Sequence, residues 1–253
     1  MSLAKKITLG IGFYLVFMVA LLPANVVLWL VKLPNQVQVS NVSGSIWSGS
    51  VGSANVYGRQ LEHITWQIDP WSLLLAKLNI DLRIGSKANA FSGKAQAELS
   101  LSGVEINKLT IDATNGFLIG NTQLPFGTKV GGEVNLFIEH FVYGKPFCQQ
   151  LNGTMYAHHL KVNNQFGFYP IGDVKLGLEC QQGNIVISML EKDNKMGISG
   201  QVLVSENNQF ALKAKIKPTA TQPEDMRNNL SILGQPDPQG YYQINYQGRI
   251  PGL

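Results

Sequence analysis

From Val37 onward, apolar and polar residues alternate with a period of two, and this pattern limits the fold more than any other feature of the 253-residue chain. In Lys94-Ala-Gln-Ala-Glu-Leu-Ser-Leu101, one set of positions holds Ala95, Ala97, Leu99 and Leu101, and the other holds polar residues. Ile64, Trp66 and Ile68 repeat the pattern, as do Val134, Leu136 and Ile138, and then Leu212, Ala214 and Ile216. Successive side chains of a strand point to opposite faces, so each segment has one face for a core and one for water, as in antiparallel sheet. Asn163-Asn164, Gln182-Gly183-Asn184 and Asn207-Asn208 supply turns between them. The pattern predicts about fourteen strands and an all-β body.

Two segments read as helix. Asp69-Pro70 before Trp71-Ser-Leu-Leu-Leu-Ala-Lys77 offers an N-cap and a proline at the first helical position, and predicts two turns with an apolar face laid on the sheet. The second begins near Thr221 or Gln222, with Glu224 and Asp225 beside the positive end of the dipole. There Met226, Leu230 and Leu233 share a face, and Gly234 is placed for a left-handed cap.

Ahead of the strands, Ile7 to Val31 runs for 25 residues without a charge. As a helix it would extend roughly 37 Å, against a hydrocarbon core of about 30 Å. Pro23-Ala24-Asn25 interrupts it, and a cleaved signal peptide ending at Ala24 is the competing reading. The apolar run continues through Val31, and Leu22 stands where cleavage needs a small residue, so a retained anchor is expected. Lys5 and Lys6 would hold the N-terminus in the cytoplasm, and Trp29 would sit at the outer interface.

The expected organisation is a cytoplasmic N-terminus (1–6), a transmembrane anchor (7–31) and two exported β units (32–146 and 147–253) packed as one continuous domain. Three short matches relate the units: Ser43–Trp47 with Asn152–Tyr156, Asn79-Ile80 with Asn184-Ile185, and Phe91–Lys94 with Ile198–Gln201. Together they predict an elongated curved antiparallel sheet built from two similar halves, with an N-terminal transmembrane helix and one or two short helices. Its edge strands would be open to a partner's strand.

Charged residues make up 14% of the chain, where a soluble protein carries roughly 25%. The basic residues are scattered and the net charge is +4, which argues against a nucleic-acid partner. His158 and His159 are neighbours that point to opposite faces, and His63 and His140 stand apart, so no metal site is expected. Walker loops, nucleophile elbows and dinucleotide glycine patterns do not occur, so neither catalytic nor cofactor-binding residues are expected. Asn41, Asn152 and Asn229 begin N-x-Ser/Thr triplets, which matter only in a host that glycosylates exported chains. Cys148 and Cys180 form a disulfide candidate outside the cytoplasm, the alternative being two buried thiols. Trp47, Trp66 and Trp71 are candidates for a core seam or a contact surface. Alternation favours the core for Trp66, and by extension for the other two.

Several segments together resemble one family. They are the single anchor, Val42-Ser-Gly-Ser-Ile-Trp-Ser-Gly49, and Ile64-Thr-Trp-Gln-Ile-Asp-Pro-Trp-Ser-Leu-Leu-Leu75. Cys148 with Leu151–Thr154 follows, then Cys180 with Gly183, Gly234–Tyr241 and Gly248–Gly252. In order and spacing the chain resembles the type II secretion system protein N family (general secretion pathway protein N), with Ser45-Ile46 where a Thr and a Leu are expected. The resemblance implies a non-enzymatic, accessory inner-membrane subunit whose periplasmic domain contacts other secretion subunits during export of folded proteins. The alternative is a periplasmic lipid-binding or lipid-bridging protein with an apolar groove. The two differ in whether the apolar face is a filled core or an open trough.

Overall fold

Alternating segments pair each with the next along the chain, and the result is one antiparallel sheet. The computed structural model describes residues 3–26, 34, 36–86, 88–120, 123–124, 127–165 and 167–249. Within them lie β1 (Val37–Gly44), β2 (Ser48–Val56), β3 (Arg59–Asp69), β4 (Lys77–Ile84), β5 (Phe91–Ser100), β6 (Gly103–Thr114) and β7 (Lys129–Tyr143). They continue as β8 (Cys148–Asn164), β9 (Gly167–Gln181), β10 (Asn184–Met189), β11 (Ile198–Ser205), β12 (Gln209–Ile216) and β13 (Tyr242–Arg249). Their order in the sheet is their order in sequence, a meander of thirteen strands with β1 and β13 at its free edges. The sequence suggests one strand more, and Leu101, expected to extend β5, falls in the turn before β6.

The alternation appears directly in the strands. Along β4, Leu78, Ile80, Leu82 and Ile84 are half-buried while Lys77, Asn79, Asp81 and Arg83 are exposed. β3 repeats this from Ile64 to Asp69. Register shifts between β5 and β6, between β7 and β8, and between β8 and β9 mark bulges, which bend and twist the strands that hold them. The sheet passes without a break from the first expected unit to the second, because β7 and β8 pair along their whole length. Of the three internal matches, the third falls on the opening residues of β5 and β11. The first sets a turn against the middle of β8.

The helices lie at the ends of strands. Helix α1 (Leu3–Ala20) precedes the sheet. Among the described residues no helix is long and apolar enough to cross a membrane, and residues 27–31 of the expected span, Trp29 included, lie outside them. Asp69-Pro70 does start a helical segment, but as a six-residue 3-10 turn, Pro70–Leu75, with the Asp69 carboxylate accepting from the Trp71 N–H. Helix α2 (Asn115–Ile119), between β6 and β7, is not foreseen by periodicity. Thr114 caps it by accepting from the Phe117 N–H, and Phe117 packs on Phe91 with ring centroids 5.1 Å apart. Helix α3 (Glu224–Asn228) runs into a 3-10 turn, Asn229–Leu233, that buries Leu230. Gly234 ends it at φ 110° and ψ −152°, outside the expected left-handed well.

Helix α1 is tied to the sheet by tryptophan. The Trp47 indole N–H donates to the Val19 carbonyl at 3.1 Å, and the Ile46 N–H to the Leu22 carbonyl at 3.1 Å. The Trp66 indole N–H donates to the Ile46 carbonyl at 3.0 Å, so one indole ties the β1–β2 turn to β3 while the other ties it to α1. Gly49 leaves room for this: it pairs with Trp66 across the strands, and a Cβ there would overlap the indole ring. Gly49→Val should therefore lower unfolding stability by about 1–3 kcal/mol in urea titration. Gly93→Ala, which meets only ordinary contacts, should change it by less than about 0.5 kcal/mol.

Candidate functional site

Reading the register across the sheet, one transverse row stands out. Gly49, Trp66, Leu82, Ala95, Leu109 and Ile138 stand opposite one another from β2 to β7. Gly153, Leu178, Ile187, Val202, Leu212 and Tyr246 continue it from β8 to β13. A second row runs Ile84, Gly93, Ile111, Leu136, Met155 and Leu176. Cross-strand apolar pairs of this kind stabilise neighbouring strands, and here they form a stripe over nearly the whole sheet.

The stripe is only half covered. From Trp66 to Leu212 every member is half-buried except Gly153, which is buried. Only thirteen hydrophobic residues among those described are fully buried, and several are alanines. The chain exposes 16808 Å², where a compact monomer of 253 residues would expose roughly 11,000 Å². A sandwich would cover such a face with a second sheet, but here each strand packs chiefly on its own neighbours. Trp66, Leu78, Ile80, Leu82, Leu176 and Leu178, large residues of the apolar face, are half-buried rather than buried. A half-covered apolar surface of this extent is a candidate interaction site.

The tryptophans part company. Trp47 and Trp66 are half-buried at the junction with α1, whereas Trp71 is 75% exposed, which overturns its expected place in the core. The whole turn departs from the sequence expectation: Leu73, Leu74 and Leu75 are exposed and only Ser72 is buried. The Cys148 and Cys180 side chains meet in the structure, with Cα atoms 6.1 Å apart, at the start of β8 and the end of β9.

Among the described residues no group of His, Cys, Asp and Glu could hold a metal ion. His158 stacks on Tyr156 and lies 3.6 Å from Asp173, while the backbone N–H of His159 donates to Asp173 at 3.0 Å and holds its carboxyl below the usual range. Lys77 pairs with Glu98 at 2.7 Å, and that hydrogen bond raises its pKa. The Asp237 carboxylate accepts from the backbone N–H groups of Tyr241 and Gln239, both at 2.9 Å, which lowers its pKa, Tyr241 being the larger cause. The Tyr241 hydroxyl donates to Glu191 at 2.8 Å, which raises its own. The first two pairs sit on strands and the last two in connections between strands.

The described residues thus form a single sheet with one polar face, one half-buried apolar face and an apolar helix joined to its first hairpin. The sequence comparisons specify the family. Residues 35–245 match the family model for type II secretion system (T2SS), protein N. The chain is 30% identical to type II secretion system protein N of Aeromonas hydrophila over 241 residues, 94% of each chain. It is 26% identical to that of Vibrio cholerae serotype O1, covering 90% of this chain and 91% of the relative. To that of Pectobacterium carotovorum subsp. carotovorum it is 21% identical over 99% and 100%. No solved structure gives a significant match. The chain belongs to the type II secretion system protein N family, a component of a secretion system and not a known enzyme family.

Two outcomes follow from the geometry. The native protein should enhance the fluorescence of an apolar dye such as ANS at neutral pH with its near-ultraviolet circular dichroism intact; a sheet whose apolar face is filled would leave the dye dark. The Asp237 contacts should be present above the ordinary carboxylate range and lost as pH falls through the lowered pKa of the folded state. The protection factor of the Tyr241 amide, referenced to its intrinsic exchange rate at each pH, should therefore fall on acidification, and in Asp237→Ala it should be lowered already at pH 7.

Proposed function

We propose that this protein is an accessory subunit of the type II secretion apparatus, held at the inner membrane by its N-terminal segment with its sheet in the periplasm. The observation that carries the reading is the family match, which spans almost the entire sheet. The geometry supports the topology. Residues 5–14 and 17–20 of α1 are exposed all round, although most are apolar, which suits a helix surrounded by lipid. Lys5 and Lys6 then mark the cytoplasmic end, and everything from the β1 hairpin onward lies on the periplasmic side.

In this setting the sheet, treated as units 32–146 and 147–253 of one domain, contacts other subunits through β1 and β13. Among the described residues β1 and β13 each pair with one strand only, which leaves their outer sides to take an added strand. Cys148 and Cys180 are bonded in the oxidising periplasm, closing β8 and β9 at one end. Replacing both by serine should lower stability by about 3–4 kcal/mol on the loop-entropy model, read by urea unfolding with and without reductant.

A second reading is favoured by one observation, the half-covered apolar stripe. Acyl chains of lipid would cover it, making the sheet a lipid-binding trough. Deletion of the gene separates the two. The secretion reading expects normally secreted enzymes to accumulate in the periplasm behind a sealed outer membrane. Unchanged secretion with altered outer-membrane permeability or lipid composition would overturn it in favour of the trough.

A further inference from the structure

The 3-10 turn Pro70–Leu75 is built inside out. Its one buried side chain is polar: Ser72 is 5% exposed, its hydroxyl donates to the Asp69 carbonyl at 2.6 Å and accepts from the Asn79 N–H at 3.2 Å. Asp69 caps the turn through the Trp71 N–H at 3.0 Å. Ala76, left-handed at φ 55° and ψ 35°, closes it by donating to the Leu73 and Ser72 carbonyls. These bonds fix the polar side chain inward and hold Trp71, Leu74 and Leu75 outward, at 75, 80 and 75% exposure. Lys77 at the start of β4 pairs with Ser100, so the β5–β6 turn stands beside them and adds Leu101, 96% exposed.

This tip shares an end of the sheet with α1. Val19 of α1 accepts from the Trp47 indole, and the Trp47 carbonyl accepts at 2.6 Å from Ile68, two residues before Pro70. From Pro70 to Ala76 the chain has no charge, and Lys77 follows at its edge. At the opposite end of the sheet, exposed apolar side chains such as Tyr57, Leu118, Leu190 and Ile232 are spread over separate connections.

We propose that the Trp71–Leu75 turn, with Leu101, dips into the phospholipid leaflet from which α1 emerges, and so fixes the sheet's tilt on the membrane. The inference rests on the reading that α1 lies in the bilayer. It commits to lipid because the last turn of α1, apolar on every side, is bonded to this end of the sheet, which brings the membrane surface to the level of the tip. Uncharged aliphatic residues with an indole at the boundary suit that depth.

The test uses the full-length chain carrying Leu74→Cys or Leu190→Cys, each with an environment-sensitive fluorophore, one chain per phospholipid nanodisc with spin-labelled acyl chains. Position 74 should be quenched at least about fivefold more than position 190, as expected for a side chain roughly 5–10 Å into the headgroup and acyl boundary. Adding Leu75→Ser and Leu101→Ser should bring the quenching at 74 down toward that at 190 without changing thermal unfolding. A chain that fails to enter the discs overturns the anchor reading and this proposal with it. A chain that enters but leaves position 74 as wet as position 190 overturns the tip alone. So does protection of position 74 that arises only with a second copy or another envelope protein.

Discussion

Every described strand pairs with the strand next to it in sequence, and among the described residues no second sheet packs on this one. Most of its other properties follow from that constraint. A meander needs no crossover, so the chain is read from β1 to β13 as a ribbon growing sideways. With no second sheet among the described residues, the apolar face is left half-buried. Stability must then come from cross-strand pairs such as Trp66 with Leu82 and Leu178 with Ile187, in place of a deep interior.

The second constraint is the join between helix and sheet. Trp47 and Trp66 each carry an apolar ring and one donor, and each donor goes to a backbone carbonyl at that join. The helix is thereby held to the β1–β2 turn by directed bonds.

Much of this was legible in the sequence because the signals were local. Strand alternation foretold the all-β class and the two-faced strands. The Asp69-Pro70 pair foretold a helical start, and the ordered segments from Val42 to Gly252 foretold the family. Burial was harder to foresee. Alternation tells which side chains share a face but not whether anything covers that face, so Trp66 reads as core when it is half-buried. The turn at Trp71 misled for a related reason: its apolar residues look like packing material, while the decisive contacts are made by Ser72 and Asp69, whose hydrogen bonds turn the others outward. Helix α2 escaped notice because five residues carry no period; only Thr114 as an N-cap signalled it.

The central claim is that the apolar stripe is only half-covered by the chain's own residues, and hydroxyl-radical footprinting of the delipidated full-length chain tests it most directly. Leu82, Leu178 and Leu212 should be oxidised at rates typical of half-exposed side chains, well above those of Val186 and Ile216, which are 3% and 2% exposed. Equal protection of all five would mean that a second layer covers the face, and would contradict the account.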